Sequence, residues 1–324
     1  MSPETPAGDP PADMCLPFLV NAGAFRGRLV RLTGSITDIL DRHKYPEAVS
    51  ALLAEAAAAA VVLAGGLKYT GVFTLQVEGK GPVSTIVSDV TSAGDVRGWA
   101  KFESNAVTRE LARTKPGHGR PRLLGPGGYL AFTVDQGPDT ERYQGIVELS
   151  GECLAEAVHH YFRQSEQLES AIKVAVAAPK ADGEPWRAAA LLLQRMPDDG
   201  GIRLAPREEL EDDWRTAVIL MGSVKDSEML DLWLPPEKLL TRLFITIGVV
   251  PQARRPIRFG CRCSQERSER ILASFPVEEV RSYAENGKVH MTCEFCRTDY
   301  VFDVEDLDAI VRKTRAETEK GDSP

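Results

Sequence analysis

The 324-residue sequence predicts an α+β fold: a mixed helix and sheet N-terminal domain, a helical linker, and a small four-cysteine C-terminal module. Three observations carry that expectation. Strand-like segments recur in pairs joined by short Gly/Pro turns, the pattern of hairpins rather than of alternating strand–helix units. An acidic stretch after Pro206 carries apolar residues at helical spacing. Four of the six cysteines then fall near the C-terminus as C-x-C and C-x-x-C pairs.

The elements follow in order. Residues 1–14 are Pro-rich and acidic, with neither the basic start nor the apolar run of a secretory signal, and read as a disordered leader. The N-terminal domain spans 15–205. Within it an Ala- and Leu-rich helix covers Tyr45 to Ala64, with Pro46 in the first turn, where its missing N–H costs nothing. Strands are expected over Val72 to Glu78 and Val83 to Val87, joined by the Gly79–Pro82 turn, and again over Gly128 to Val134 and Tyr143 to Leu149. A helix opened by Ser150-Gly151 presents Leu154, Val158, Tyr161 and Phe162 on one face. Ile172 to Ala177 and Trp186 to Gln194 form a late hairpin around Asp182-Gly183.

The linker, 206–250, is expected to be helical, with an apolar stripe that must lie against a neighbour to be stable. Pro251 to Pro256 reads as an exposed hinge, 251–312 as the cysteine module, and 313–324 as a charged tail. The longest apolar run, Ala56 to Ala64, has nine residues, against about 20 for a membrane span. A net charge of −8 argues against a whole-protein nucleic-acid or anionic-membrane binder. A cytoplasmic protein is expected, in a compartment that keeps thiols reduced.

Cys261, Cys263, Cys293 and Cys296 are the candidate site. Two close pairs joined by a long loop suit a tetrahedral four-thiolate Zn2+ site. A module this small supports only a marginal core, and structural zinc contributes about 10–16 kcal/mol in small peptides, as much as a typical domain's whole stability of about 5–15 kcal/mol. Each pair can also close on itself as a disulfide, strained in the C-x-C case, and either closure removes two ligands. Arg258, Arg262, Arg267 and Arg297 are placed to favour thiolates. Cys15 and Cys153 stand alone and read as buried, inert thiols. His290 near Cys293 is a spare ligand that four thiolates make unnecessary, and His159-His160 read as ordinary helix residues. No nucleophile triad or phosphate loop is recognisable, so no enzymatic activity is expected.

These residues closely resemble the 33-kDa heat-shock chaperonin family. The resemblance rests on Phe259–Ser264 (FGCRCS) and Cys293–Cys296 (CEFC) with Tyr300 and Phe302. It extends through Gly66–Lys68 (GLK), Leu75–Pro82 (LQVEGKGP), Val96–Trp99 (VRGW), Tyr143–Gly145 (YQG) and Tyr161–Gln167 (YFRQSEQ). The resemblance implies a redox-regulated, ATP-independent holdase that is inactive when reduced and zinc-bound. It implies that oxidation pairs Cys261 with Cys263 and Cys293 with Cys296, expels zinc, unfolds the module and uncovers apolar surface. It further implies unfolded client proteins as partners, homodimerisation when oxidised, and hand-over to foldase chaperones. The linker stripe is then the expected client surface: Trp214, Ile219, Leu220, Met221, Leu230 and Trp233. Two other classes compete. A zinc-ribbon nucleic-acid binder is suggested by six arginines against two acids over 254–270, and a thiol–disulfide oxidoreductase by the C-x-x-C.

Overall fold

The computed structural model describes residues 12–114, 122–137, 140, 143–149, 154–161, 169–196 and 207–321. It divides into two compact units, Met1–Gly260 and Cys261–Pro324. The first begins with strands β1 (Met14–Val20) and β2 (Phe25–Leu32), then helices α1 (Gly34–His43) and α2 (Glu47–Ala64). Strands β3 (Val72–Glu78), β4 (Val83–Thr91) and β5 (Asp95–Phe102) follow, then α3 (Ser104–Arg113), β6 (Tyr129–Asp135), β7 (Tyr143–Glu148) and α4 (Leu154–Tyr161). The unit continues with β8 (Ser170–Ala177), β9 (Arg187–Arg195), α5 (Arg207–Ser223), α6 (Asp226–Met229) and α7 (Pro236–Phe244), and ends in three short strands, β10 (Val249–Pro251), β11 (Arg255–Pro256) and β12 (Arg258–Phe259).

These strands form two sheets. One has the order β10-β1-β2-β9-β8, with β11 also on β1; the other has the order β12-β5-β4-β3-β6-β7. Every pairing is antiparallel except β12 on β5. Helix α2 lies between the sheets. Its alanines, 56–60, share one core with Val30, Leu32, Ala190 and Leu192 of the first sheet and Leu75, Val77, Ile86 and Val96 of the second. A helix covered on both sides is apolar all round. That is why α2 has the length and composition of a membrane span while being buried inside the protein.

The first sheet is covered on its other face too. Leu16, Phe18, Leu29, Leu191 and Leu193 pack there against Trp214, Ala217, Met221, Leu239, Leu240 and Phe244 of the linker helices. Burial on both faces explains why Ala188 to Leu193 is continuously apolar instead of alternating. Phe18 stacks on Phe244 with ring centroids 5.8 Å apart. The ring also lies flat on Gly27, its cross-strand partner, where a Cβ would sit 2.1 Å from Phe18 Cζ. Only glycine admits that packing.

Several family-like segments have local physical reasons. Arg97 donates to the buried Asp89 carboxylate from both Nε and Nη2, at 2.9 and 2.7 Å. At Gly98 a Cβ would press to 3.0 Å from Leu53 of α2, so the glycine sets how closely helix and sheet approach. The guanidinium of Arg28 crosses Gly66, where any Cβ would collide with it.

The structure corrects some boundaries. Helix α2 starts at Glu47, with Pro46 as its cap, and the Tyr45 hydroxyl instead accepts the Ala100 N–H. Strand β4 runs on to Thr91, because Asp89 is neutralised by Arg97 and does not end the strand. The segment read as a hinge is exposed at 252–256 but tied down: Pro251 pairs with Phe18 and Arg255 with Cys15. Helix α1 was not foreseen. Asp13 caps it from a distance, accepting from the backbone N–H groups of Thr33, Gly34 and Ser35. The leader through residue 11, Ser150, Gly151, Cys153 and 162–167 lie outside the described residues.

In the second unit α8 (Gln265–Ala273) and α9 (Val277–Ser282) precede a hairpin of β13 (Lys288–Thr292) and β14 (Asp299–Asp303), and α10 (Leu307–Gly321) closes the chain. Helix α10 takes in residues 313–321, which the sequence reading assigned to a charged tail. The apolar core here is small: Leu272, Val280, Val289, Phe302 and Leu307.

Candidate metal centre

All four cysteines of the candidate site belong to the second unit. Cys261 and Cys263 lie on the segment entering α8, which begins where the Ser264 hydroxyl accepts the Arg267 N–H at 3.1 Å. Cys293 and Cys296 lie in the turn between β13 and β14. That turn closes through Cys293 N–H to Thr298 O and Arg297 N–H to Cys293 O, both at 2.9 Å. Arg297 takes the left-handed backbone conformation, φ 58°, which a non-glycine residue adopts only where its surroundings hold it.

The four sulfurs lie within 4.8 Å of one another. Cys261 Sγ is 3.7 Å from Cys293 Sγ, and Cys263 Sγ is 3.3 Å from Cys296 Sγ. A tetrahedral ion with metal–sulfur bonds of about 2.3 Å requires edges of about 3.8 Å. The cluster therefore fits a four-thiolate metal site without rearrangement of the fold.

As free thiols the cysteines differ. Burial is the largest influence on Cys263 and pushes it up to about 12, with the neighbouring thiols adding to the rise and the Tyr300 hydroxyl opposing it. Burial likewise raises Cys293, against backbone N–H donors from Cys296 and Phe295. At Cys296 desolvation is again the largest influence and acts upward. Hydrogen bonding with the Thr298 hydroxyl and backbone, with help from Cys263 and Cys261, nonetheless brings it down to about 7. The hydroxyl of Tyr300 lies 3.1 Å from Cys263 Sγ, and that of Thr298 lies 3.2 Å from Cys296 Sγ.

Burial and local hydrogen bonds are the leading influences on Cys263, Cys293 and Cys296. Of the four arginines expected to favour thiolates, Arg297 pairs with Glu294 and Arg258 with Asp95. Thr298 and Tyr300 carried no expected role. Thr298 ends the turn and Tyr300 lies on β14, and both reach the cluster, while Asp299 between them meets His290 at 2.8 Å. His290 thus hydrogen-bonds Asp299 and is not one of the clustered sulfur-site residues.

The other expectations fall as follows. Cys15 is buried, and desolvation pushes its thiol up to about 11 against the pull of Arg28 and Arg255. His159 is exposed on α4. Among the expected client residues, Trp214, Met221 and Leu230 are buried, Leu220 is half-buried, and Ile219 and Trp233 are exposed at 71% and 42%. Three arginines of the 254–270 cluster are engaged within the protein, Arg254 on Glu237, Arg255 on the Gly65 carbonyl and Arg258 on Asp95, which weakens the nucleic-acid alternative.

Comparison with known proteins agrees with this architecture. The family model described as Hsp33 protein matches residues 13–303. A 33 kDa chaperonin of Caulobacter vibrioides is 38% identical over 296 residues, 90% of this chain and 95% of its own. The 33 kDa chaperonin of Azotobacter vinelandii is 37% identical over 292 residues, 90% of this chain and 91% of its own. That of Pseudomonas syringae pv. tomato is 36% identical over 302 residues, 92% and 93%. The fold is that of the 33 kDa chaperonin crystal structure from Thermotoga maritima, with TM-score 0.75, 22% identity and coverage of 94% of this chain and 100% of that one. With its mixed sheets and helices and its C-terminal four-cysteine cluster, the chain belongs to the Hsp33 family of chaperones.

Proposed function

We propose that this chain is a redox-regulated, ATP-independent holdase of the cytoplasm, held inactive while Cys261, Cys263, Cys293 and Cys296 together ligate one Zn2+. The observation that carries the reading is the four-sulfur cluster, whose edges suit that ion, in a unit with a core of only a few apolar side chains. Bound zinc supplies the cross-link between the segment entering α8 and the β13–β14 turn, and offsets the charge of four thiolates. Peroxide or hypochlorite, aided by heat, removes electrons from the thiolates. Cys261 then pairs with Cys263 and Cys293 with Cys296, the ligand set is lost, and the small core no longer holds the unit together.

The linker is the part of the first unit that this change reaches. Strands β10 to β12 end at Phe259, two residues before Cys261, and lead straight back into α7. In the proposal, loosening of these strands frees α5 to α7 from the first sheet. The stripe of Trp214, Met221 and Leu230 and the sheet face of Leu16, Phe18 and Leu191 then become client surface, joining Ile219, Leu220 and Trp233. The active form pairs as a homodimer and passes its clients to foldase chaperones.

The test is a peroxide titration at raised temperature that follows zinc release and suppression of client aggregation together. Zinc leaving as holding appears, with both reversed by reductant and zinc, supports the reading. Zinc retained, or lost without holding, contradicts it. Peptide mapping of the oxidised protein distinguishes the local pairing from Cys261–Cys293 and Cys263–Cys296, the approaches at 3.7 and 3.3 Å in the reduced protein.

A further inference from the structure

We propose that Tyr300 restrains the oxidation of the cluster by donating its phenolic hydrogen to Cys263 Sγ, and so sets how much oxidant is needed to open the metal site. This deepens the switch reading above and rests on it.

Each of three sulfurs has its own donors. Cys293 has backbone N–H groups, Cys296 has the backbone N–H of Thr298, and Cys263 has the Tyr300 phenol at 3.1 Å. The phenol is the one that a single side chain provides without reshaping the turn. The register Tyr300↔Met291 fixes its backbone, and its ring packs beside the core of Val289 and Phe302. The hydroxyl is thus held on the sulfur from a paired strand. Outer contacts of this kind orient metal ligands and tune them.

The chemistry follows from the lone pair. Cys263 Sγ attacks one peroxide oxygen, the O–O bond breaks, hydroxide leaves, and the sulfur becomes a sulfenic acid. A second thiolate of the cluster attacks that sulfur, the S–O bond breaks, a second hydroxide leaves, and the S–S bond forms. Two thiolates have given up two electrons, and peroxide has been reduced to two hydroxides. The lone pair that accepts the phenolic hydrogen is less available for the first attack, because thiolate nucleophilicity follows basicity with a coefficient of about 0.4–0.5.

The test uses the full chain carrying Tyr300→Phe, which keeps the ring, with Tyr283→Phe, an exposed tyrosine of the same unit, as control. Peroxide-driven zinc release should quicken by roughly three- to tenfold in Tyr300→Phe and stay unchanged in the control. With cobalt in place of zinc, the sulfur-to-metal charge-transfer bands should move to lower energy only in Tyr300→Phe. Should that variant fail to hold metal, 3-fluorotyrosine at position 300 decides: it is a stronger donor on the same ring, and release should slow. Unchanged release with an unchanged cobalt spectrum overturns the role of Tyr300 while leaving the switch intact, as does unchanged or faster release with fluorotyrosine. A wild-type protein that keeps its zinc under peroxide overturns the switch reading, and this inference with it.

Discussion

Arg31 of β2 donates from Nη1 to the carbonyl of Leu234 at 2.6 Å, reaching across 203 residues of sequence from the first sheet to the linker. Its Nη2 holds the carbonyl of Glu228 at 3.0 Å, while its Nε is buried without a partner. Burial lowers the guanidinium to about 10, still charged at neutral pH. A side chain that is costly to bury is here spent on clasping the turn between α6 and α7. The clasp ties together the two surfaces whose separation the proposed activation requires.

Replacing Arg31 with Met keeps the stem and removes the clasp. Hydrogen bonds from a charged group are each worth about 1.5–3 kcal/mol, partly offset by relief of a desolvated charge. The expected net weakening of linker docking is about 1–3 kcal/mol. Amide exchange over 224–244 should quicken while α2 stays protected. Unchanged exchange there would contradict the clasp.

Trp214 and Ile219 separate packing from client contact. Trp214 is buried edge-on against Phe25, with centroids 5.3 Å apart, whereas Ile219 is 71% exposed. Trp214→Ala should lower stability by about 3–5 kcal/mol, and Ile219→Ser by less than about 0.5 kcal/mol. In the oxidised protein both should reduce holding of a thermally unfolding client, read by light scattering. If Ile219→Ser leaves holding intact, Ile219 is not part of the client surface.

The linker should loosen in acid. Hydrogen bonds from Arg254 hold Glu237 below the usual carboxylate range, and the Lys225 backbone, then Arg242, does the same for Glu228. A carboxylate depressed in the folded state adds stability above its unfolded pKa, and that stability is lost as pH falls through the folded value. Docking should therefore be constant at neutral pH and weaken progressively below about pH 4.5. Glu237→Gln should flatten that dependence, measured as exchange of α7 amides against pH; an equally steep profile would assign the acid effect elsewhere.

Cys15 should remain outside the redox chemistry. With its thiol pushed up to about 11, it stays protonated through the physiological range. A thiol raised by burial favours the folded state below its unfolded value and loses that contribution as pH rises, here from about 9 to about 11. Alkylation followed by mass spectrometry should label the cluster of the metal-free native protein and spare Cys15 until about pH 9 or global unfolding. Labelling of Cys15 at neutral pH in the folded protein would show that burial does not protect it.

The four ligand cysteines were legible because metal spacing is local: each pair sits within four residues, and the fold only has to bring two pairs together. Helix α2 was legible from its alanine run, and the β8–β9 hairpin from two apolar segments around one turn. Strands β10 to β12 were not. They are two or three residues long, two contain proline, and they exist because β1 and β5 pair with them, not because of any pattern of their own. Tyr300 on Cys263 and Arg31 on Leu234 depend on register and on docking across the chain. A single sequence carries the residues for such contacts but not their meeting.

Hydrogen exchange of the full-length protein, compared between the reduced zinc form and the peroxide-treated form, tests the central claim most directly. The account predicts that exchange over 207–259 and 261–312 accelerates together as zinc leaves, while β3 to β6 and α2 stay protected. Loss of zinc with 207–259 still fully protected would contradict it, because the apolar faces of Trp214 and Phe18 would then remain covered in the oxidised protein.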